Sequence, residues 1–213
     1  MKPSVLVADF EISGRAPDAG EIVGAAVDRG AQFLAVAVEE GDKDAPDAVA
    51  GGVRIARLSS VAAAARRRQV GLVARVTDTL VVYGLREALG VAKGASAAEL
   101  RDRFLVVVAT DRVGKRVRSD ARELPSAYEI PRRPRGFARF TSANMQRAAA
   151  DCDDLVVPWG TIDEARIASR IVPDLARRGG RVWLSDVPPD DVHRAAALPV
   201  AGVVVRFALR CSG

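Results

Sequence analysis

The sequence predicts an α/β protein that folds as a single compact (β/α)8 barrel of the TIM type. Short valine-rich runs alternate with alanine-rich stretches along the whole chain, which is the pattern of repeated strand–helix units. The valine-rich runs are continuously apolar, as expected for parallel strands covered on both faces. At 213 residues, the chain is long enough to bury one core of this size. A doubly wound parallel sheet is the alternative fold.

Eight or nine strands are expected, and the third is the least certain of them. In chain order they span 5–10, 33–39, 54–58, 71–77, 104–110, 137–142, 154–159, 181–186 and 202–207. This number fits a closed barrel better than an open sheet of five or six strands. No glycine-rich dinucleotide or phosphate-loop motif follows the first strand, which argues against a nucleotide-binding open sheet.

Helices are expected between the strands, and most of them end at a glycine, as helix C-termini commonly do. They span 18–30, 60–69, 79–93, 144–151, 163–179 and 190–198. The irregular stretch 111–136 is expected to be a long loop excursion at the top of the barrel, where active-site loops lie. No linker or internal repeat divides the chain, so residues 1–213 are expected to form one domain.

Composition narrows the class of protein. Hydrophobic residues make up 49% and charged residues 28% of the chain, as in soluble globular proteins. No apolar run approaches the roughly 20 residues of a membrane helix, and the first residues lack the pattern of a secretory signal. We therefore expect a cytoplasmic protein without a membrane partner. Two cysteines, Cys152 and Cys211, are too few for a disulfide framework.

The charge pattern favours a small anionic ligand over nucleic acid. The formal net charge is +5, and arginine far outnumbers lysine. Arginine binds phosphate and carboxylate groups through two parallel hydrogen bonds. The densest basic run, 131–136, has no stacking aromatic residues beside it, so we expect no nucleic-acid partner. The sequence leaves open whether the protein forms a homodimer.

Candidate site residues follow from the position of active sites at the carboxyl ends of barrel strands. Asp9 and Glu11 lie two apart on the first strand and therefore share a face. Arg75 lies in an apolar strand, where an unpaired charge is costly, so Asp9 or Glu11 is its expected partner. Two interpretations stay open: a structural ion pair, or a site in which Arg75 holds a substrate phosphate or carboxylate.

Two carboxylates in different environments can serve as general acid and general base. The candidate catalytic residues are therefore Asp9, Glu11 and Glu39. The candidate substrate-binding residues at the predicted strand ends are Arg75, Thr77, Trp159, Trp183, Asp186 and Arg206.

Several short motifs in the sequence resemble those of one barrel family. Ala8, Ser13, Gly14 and Pro17 in ADFEISGRAPDAGE keep step with that family's first strand and the segment leading into its first helix. The stretch Gly30–Ala31 and the residue Trp183 match two further positions. The chain thereby resembles a divergent member of the glycerophosphodiester phosphodiesterases, in the superfamily that also contains phosphatidylinositol-specific phospholipases.

The resemblance implies a barrel, but it also implies that the family's catalytic groups are missing here. The family's histidine and arginine on the first strand fall on Asp9 and Phe10, and two metal-binding carboxylates fall on Ala35 and Ala37. The Glu-x-Lys motif at the end of a later strand of the family falls on Arg75 and Thr77. The single histidine, His193, lies near the other end of the chain. No metal and no other cofactor are therefore expected.

Three functions remain open at this point. The first is a metal-independent barrel enzyme of the lyase, isomerase or cyclase type, which uses acid–base catalysis on a small molecule bearing phosphate or carboxylate. The second is a glycerophosphodiesterase-like hydrolase with a rearranged site. The third is an inactive barrel that serves as a binding or partner protein. A fold alone does not choose among them.

Overall fold

The computed structural model describes residues 4–14, 16–38, 47–77, 79–92, 95–130 and 152–211. In this part of the chain, eight parallel strands close into a barrel in sequence order, and β8 pairs with β1. The predicted (β/α)8 fold is confirmed. The strands are β1 (Val5–Gly14), β2 (Phe33–Val38), β3 (Gly71–Val76), β4 (Phe104–Val108), β5 (Ser126–Glu129), β6 (Asp154–Pro158), β7 (Val182–Val187) and β8 (Gly202–Cys211).

The described helices lie between the strands, and none of them is both long and apolar enough to span a membrane. They are α1 (Ala19–Asp28), α2 (Asp47–Arg67), α3 (Thr79–Leu89), α4 (Ala97–Leu100), α5 (Asp111–Asp120), α6 (Glu164–Arg166), α7 (Val172–Ala176) and α8 (Val192–Ala196). A π-helical segment, Ile167–Ile171, joins α6 to α7. Pro173, two residues beyond this segment, has no N–H to donate, which favours this departure from regular helix.

The strand predicted at 54–58 is wrong, because these residues lie inside α2. Leu58, Val61, Ala62 and Ala65 are all buried. Their spacing of three and four residues is that of one helix face. A run of five residues is too short to distinguish helical from strand periodicity.

The loop excursion predicted at 111–136 is also wrong where it is described. Residues 111–120 form α5, whose first turn is capped by the Thr110 hydroxyl, which accepts a hydrogen bond from the Val113 N–H at 3.4 Å. Residues 126–129 form β5, which pairs with β4 and β6. The strand predicted at 137–142, the helix predicted at 144–151 and residues 131–136 lie outside the described residues.

The barrel interior is filled by layers of apolar side chains that form a floor for the site. The lower layer comes from odd-numbered strands and contains Val7, Val73, Ala127 and Trp183. The layer above comes from even-numbered strands and contains Ala35, Val107, Val156 and Val204. Such layers, with four side chains from alternate strands, are the usual filling of a (β/α)8 barrel.

Trp183 belongs to this floor and does not line the barrel mouth. Its side chain is 1% exposed, and its indole N–H donates to Oδ2 of the fully buried Asp154 at 3.0 Å. The same oxygen accepts from Arg181 Nε at 2.9 Å. The predicted substrate-binding role of Trp183 is therefore not supported, because the residue lies in the lower of these two apolar layers.

Candidate functional site

One layer of the barrel is polar, and it lies directly on the apolar floor. Every second residue of a strand faces the interior of the barrel. The next interior residue above the floor is therefore Asp9 on β1 (after Val7), Arg75 on β3 (after Val73), Glu129 on β5 (after Ala127) and Ser185 on β7 (after Trp183). The strand registers place these four residues at one level. We call Asp9, Arg75, Glu129 and Ser185 the polar layer.

Arg75 stands at the centre of the hydrogen bonds in the polar layer. Its Nη1 donates to Oδ2 of Asp9 at 3.2 Å, and its Nη2 donates to Oε1 of Glu129 at 3.4 Å. The Ser185 hydroxyl donates to the same Glu129 oxygen at 2.9 Å. The side chains of Arg75, Asp9 and Glu129 are 20%, 19% and 20% exposed. The prediction that Arg75 pairs with a first-strand carboxylate is confirmed, and the partner is Asp9.

A second arginine lies one layer higher. Arg206 follows Val204 on β8, and its Nη2 donates to Oδ1 of Asp186 at 3.0 Å. Its Nε lies 3.7 Å from Oδ2 of Asp9, which makes an ion pair without a direct hydrogen bond. The Arg206 side chain is 53% exposed, whereas that of Asp186 is 17% exposed. Arg206 therefore offers part of its guanidinium to the open mouth.

An irregularity in β7 brings Asp186 into the site. In a regular strand, Ser185 and Asp186 would point to opposite faces. The pairing of β7 with β8 shifts register between Leu184 and Val187, and Asp186 has a φ of +56°. A bulge of this kind re-aims a side chain, and left-handed backbone at a residue other than glycine costs energy that functional sites often retain. Both Ser185 and Asp186 can thus join the network.

Charges alternate through the site. The order Glu129, Arg75, Asp9, Arg206, Asp186 places each arginine between two carboxylates. Three carboxylates against two guanidinium groups leave one formal negative charge. Removing one member of such a partly buried network leaves a charge without compensation, which is costly.

Glu129 and Ser185 are the site residues that sequence reasoning missed. Glu129 closes a strand of only four residues, inside the stretch expected to be a loop. The available signal was a short segment of extended character between Pro125 and Pro131. Ser185 lies next to Asp186 in the sequence, but an uncharged hydroxyl at a strand end carries little information on its own.

The remaining candidates lie around the site. Glu11 is exposed on the same face of β1 as Asp9 and pairs in register with Ala208. Thr77 is exposed directly after β3 and donates its hydroxyl to the Val38 carbonyl at 3.4 Å. Glu39 lies outside the described residues.

Trp159 lies half-buried at the end of β6. Its indole N–H donates to Oδ2 of Asp191 at 2.9 Å, and the guanidinium carbon of Arg194 lies 5.6 Å from its ring centre. The indole packs against the apolar cluster between the strands and the later helices, so the predicted contact of Trp159 with a ligand stays a prediction.

The described residues do not fit a divalent metal at the place that the family resemblance implies. Two of the positions there carry the methyl groups of Ala35 and Ala37, and a third carries Arg75. The Arg75 guanidinium lies between Asp9 and Glu129 and pairs with one carboxylate oxygen of each, so these oxygens already have a cationic partner. Across the described ranges, no three potential metal-ligating side chains come together.

Known proteins resemble this chain in fold. No protein family and no curated protein matches the chain. A glycerophosphodiester phosphodiesterase from Parabacteroides distasonis aligns with 95% of this chain and 92% of its own, at a TM-score of 0.64 and 10% identity. A phosphodiesterase from Oleispira antarctica, in complex with the product sn-glycerol-3-phosphate, aligns with 96% of this chain and 93% of its own. The TM-score is 0.61 and the sequence identity is 11%.

A third solved structure belongs to a different class of enzyme. The 7,8-dihydropteroate synthase from Vibrio fischeri aligns with 96% of this chain and 88% of its own, at a TM-score of 0.55 and 12% identity. At these identities the similarities establish the barrel fold. The chemistry has to be argued from the site itself.

Proposed function

We propose that this protein is an enzyme of the lyase, isomerase or cyclase type that moves a proton on a small anionic molecule. The observation that carries the proposal is the alternating series of charges from Glu129 to Asp186 at the carboxyl end of the barrel. Barrel enzymes place their chemistry at this end. The solved barrels with similar folds are enzymes, and one of them holds sn-glycerol-3-phosphate.

Arg206 is the proposed anion-binding residue. Its guanidinium is half exposed and already shares its charge between Asp186 and Asp9. A phosphate or carboxylate arriving from the mouth can take up the remaining donors in a bidentate arrangement. Thr77 would border the same ligand, Trp159 is kept only on its sequence position after β6, and Asp186 would keep the arginine oriented.

Asp9 and Glu129 are the proposed proton-transfer groups. Each uses one oxygen for the contacts described above, and within the described part of the chain Oδ1 of Asp9 and Oε2 of Glu129 receive no hydrogen bond. Arg75 fixes the position of both carboxylates. One of them would remove a proton from the substrate and the other would return one, so that no cofactor enters the balance.

Glu11 remains a further proposed acid, above Asp9 on the same face of β1. Its exposure suits a group that exchanges protons with solvent. Glu39 is likewise proposed as a proton-transfer group, because it follows β2 directly in the sequence.

A first experiment tests the anion site with inorganic phosphate, titrated by calorimetry. Arg206→Gln should weaken binding about tenfold or more, since a hydrogen bond to a charged group is worth roughly 1.5–3 kcal/mol. Arg177→Gln is the matched control, because Arg177 is 75% exposed and pairs with a carboxylate, Asp174, that takes no part in the site. Equal affinity in wild type and Arg206→Gln would contradict the anion site.

A second experiment tests proton transfer without a known substrate. The protein is incubated in D2O with a mixture of small carboxylates and phosphate esters, and mass spectrometry finds the compound that gains deuterium. Exchange should be lost in Glu129→Gln and Asp9→Asn, and Glu11→Gln shows whether Glu11 takes part. Exchange that survives both Glu129→Gln and Asp9→Asn would remove the polar layer from the mechanism and leave it a structural ion-pair network.

A further inference from the structure

The strands β1 and β2 close the wall of the barrel at two positions and separate above them. These two strands pair only at Val7 with Phe33 and at Ala8 with Leu34. From there β1 follows β8 through ten paired positions, ending at Gly14 with Cys211, while β2 follows β3 through six. The strands therefore part at the level of Asp9, the first residue above their last pair.

A cavity of about 780 Å³ occupies this gap. On the barrel side it is lined by Asp9, Ala35 and Ala37. On the outer side it passes between β1 and β2 to apolar side chains of the first two helices and their strands, including Val36, Ile22 and Leu58. The volume lies in the range of small-molecule binding sites.

Small side chains keep the passage open at its inner end. Ala35 and Ala37 are the two interior residues of β2 at this level, and each offers only a methyl group. Larger residues at these positions would separate the cavity from the polar layer. As built, the Asp9 carboxylate borders both spaces.

Apolar side chains at the outer end are only partly covered by the protein. Ile12 is 37% exposed, and Phe10 and Ile22 are half-buried. Asp18, which also lines the cavity, is already engaged as the cap of α1 and accepts from the Glu21 N–H at 2.8 Å. Arg57 and Ser60 also line the cavity, and both are exposed on α2. The buried part of the outer wall, which includes Leu58 and Val61, is apolar and suits a hydrocarbon group, whereas the charge of Arg57 lies at the solvent edge.

We infer that the substrate is amphiphilic: an anionic head lies at Arg206 and the polar layer, and an apolar arm lies in the cavity between β1 and β2. The inference rests on the proposed function for the head group. The arm adds a substrate class, namely phosphate or carboxylate compounds with an aliphatic or aromatic chain. Asp9 borders both the polar layer and the cavity, so one ligand can occupy the two spaces together.

Calorimetric titration with ethyl, butyl and hexyl phosphate tests the arm. Each added methylene should tighten binding about fourfold if it leaves water for the cavity. Val36→Phe, which fills the cavity from β2, should abolish this dependence on chain length. Val27→Phe is the matched control, because Val27 is exposed on α1 and does not line the cavity. Ile22→Phe repeats the test from the helix side if Val36→Phe does not fold.

The outcomes separate the arm from the head group. Equal affinity for ethyl and hexyl phosphate in the wild-type protein would overturn the arm and leave the anion site standing. Hexanol has the apolar chain without the charge. If hexanol binds to the wild-type protein but not to Val36→Phe, and none of the phosphates binds, the anion site is wrong and the arm is supported. Binding of neither hexanol nor hexyl phosphate would overturn the arm, as would a chain-length dependence that survives both Val36→Phe and Ile22→Phe.

Discussion

Arg75 on β3 and Asp9 on β1 form an ion pair at 3.2 Å across the intervening strand β2. The interior residues of β2 nearest to this contact are Ala35 below and Ala37 above, since Ala37 is the register partner of Arg75. A larger residue at either position would stand in the path of the guanidinium. The pair therefore depends on two methyl groups as well as on its own charges.

Replacing Arg75 should destabilise the protein strongly. Arg75→Met leaves Asp9 and Glu129 as two partly buried carboxylates without their shared partner, and removing one member of such a network costs about 3 kcal/mol of unfolding free energy. Urea unfolding measures this directly. Arg177→Met, which removes an exposed pair with Asp174, should have no measurable effect. A loss as small as that of the control would mean that solvent already screens the network.

Enlarging Ala37 should uncouple Arg75 from Asp9. In a double-mutant cycle of Arg75→Met and Asp9→Asn, the coupling free energy should fall when Ala37→Leu is added, because the leucine crowds the contact from above. Ala63→Leu, an exposed site on α2, should leave the coupling unchanged. An unchanged coupling free energy in Ala37→Leu would show that the Arg75 side chain reaches Asp9 in a different conformation.

The left-handed backbone at Asp186 predicts an order among its variants. Asn tolerates positive φ better than Ala, and a β-branched residue tolerates it least. Asp186→Asn should therefore be more stable than Asp186→Ala by about 1 kcal/mol, and Asp186→Val should be the least stable. Chemical denaturation gives the order. The comparison of Asp186→Ala with Asp186→Val isolates the backbone effect, because both variants lack the charge and the acceptor that Arg206 uses. Equal stabilities would argue against the bulge.

Asp154 should affect stability without affecting ligand binding. Its carboxylate accepts from the Arg181 backbone N–H, from Arg181 Nε and from the Trp183 indole, and it is fully buried below the floor. Asp154→Ala should cost about 3 kcal/mol or more. Phosphate affinity, measured at a temperature where the variant is folded, should match the wild type. A large fall in affinity would mean that the floor transmits changes to the polar layer.

Reasoning from strand ends located much of this site and missed parts of it for physical reasons. Long apolar strands placed Asp9, Arg75 and Arg206 at one edge, because a charge that follows such a run has few other places to lie. Glu129 was missed because β5 has four residues and no periodicity to detect. Trp183 was assigned to the mouth because a sequence gives the face of a strand residue but not its depth in the barrel.

Short and irregular segments are the hardest to predict from the sequence. The run 54–58 predicts a strand but lies in α2, since five residues have no clear period. Asp186 reaches the site only through a bulge, and no residue pattern indicates where a strand will gain an extra position. The register of neighbouring strands, which sets the layers, is a property of the closed barrel and cannot be derived from any one segment.

The long pairing of β1 with β8 has a consequence for how the protein folds. Val5 and Gly202 stand side by side, so the contact that closes the barrel joins segments from nearly opposite ends of the described chain. During synthesis, β1 has to wait for β8 to emerge, with only two paired positions on β2 to hold it. Contacts of such high sequence separation slow folding and leave a strand edge exposed in the meantime. The nascent chain should be most prone to aggregation in this interval, before β8 covers the edge.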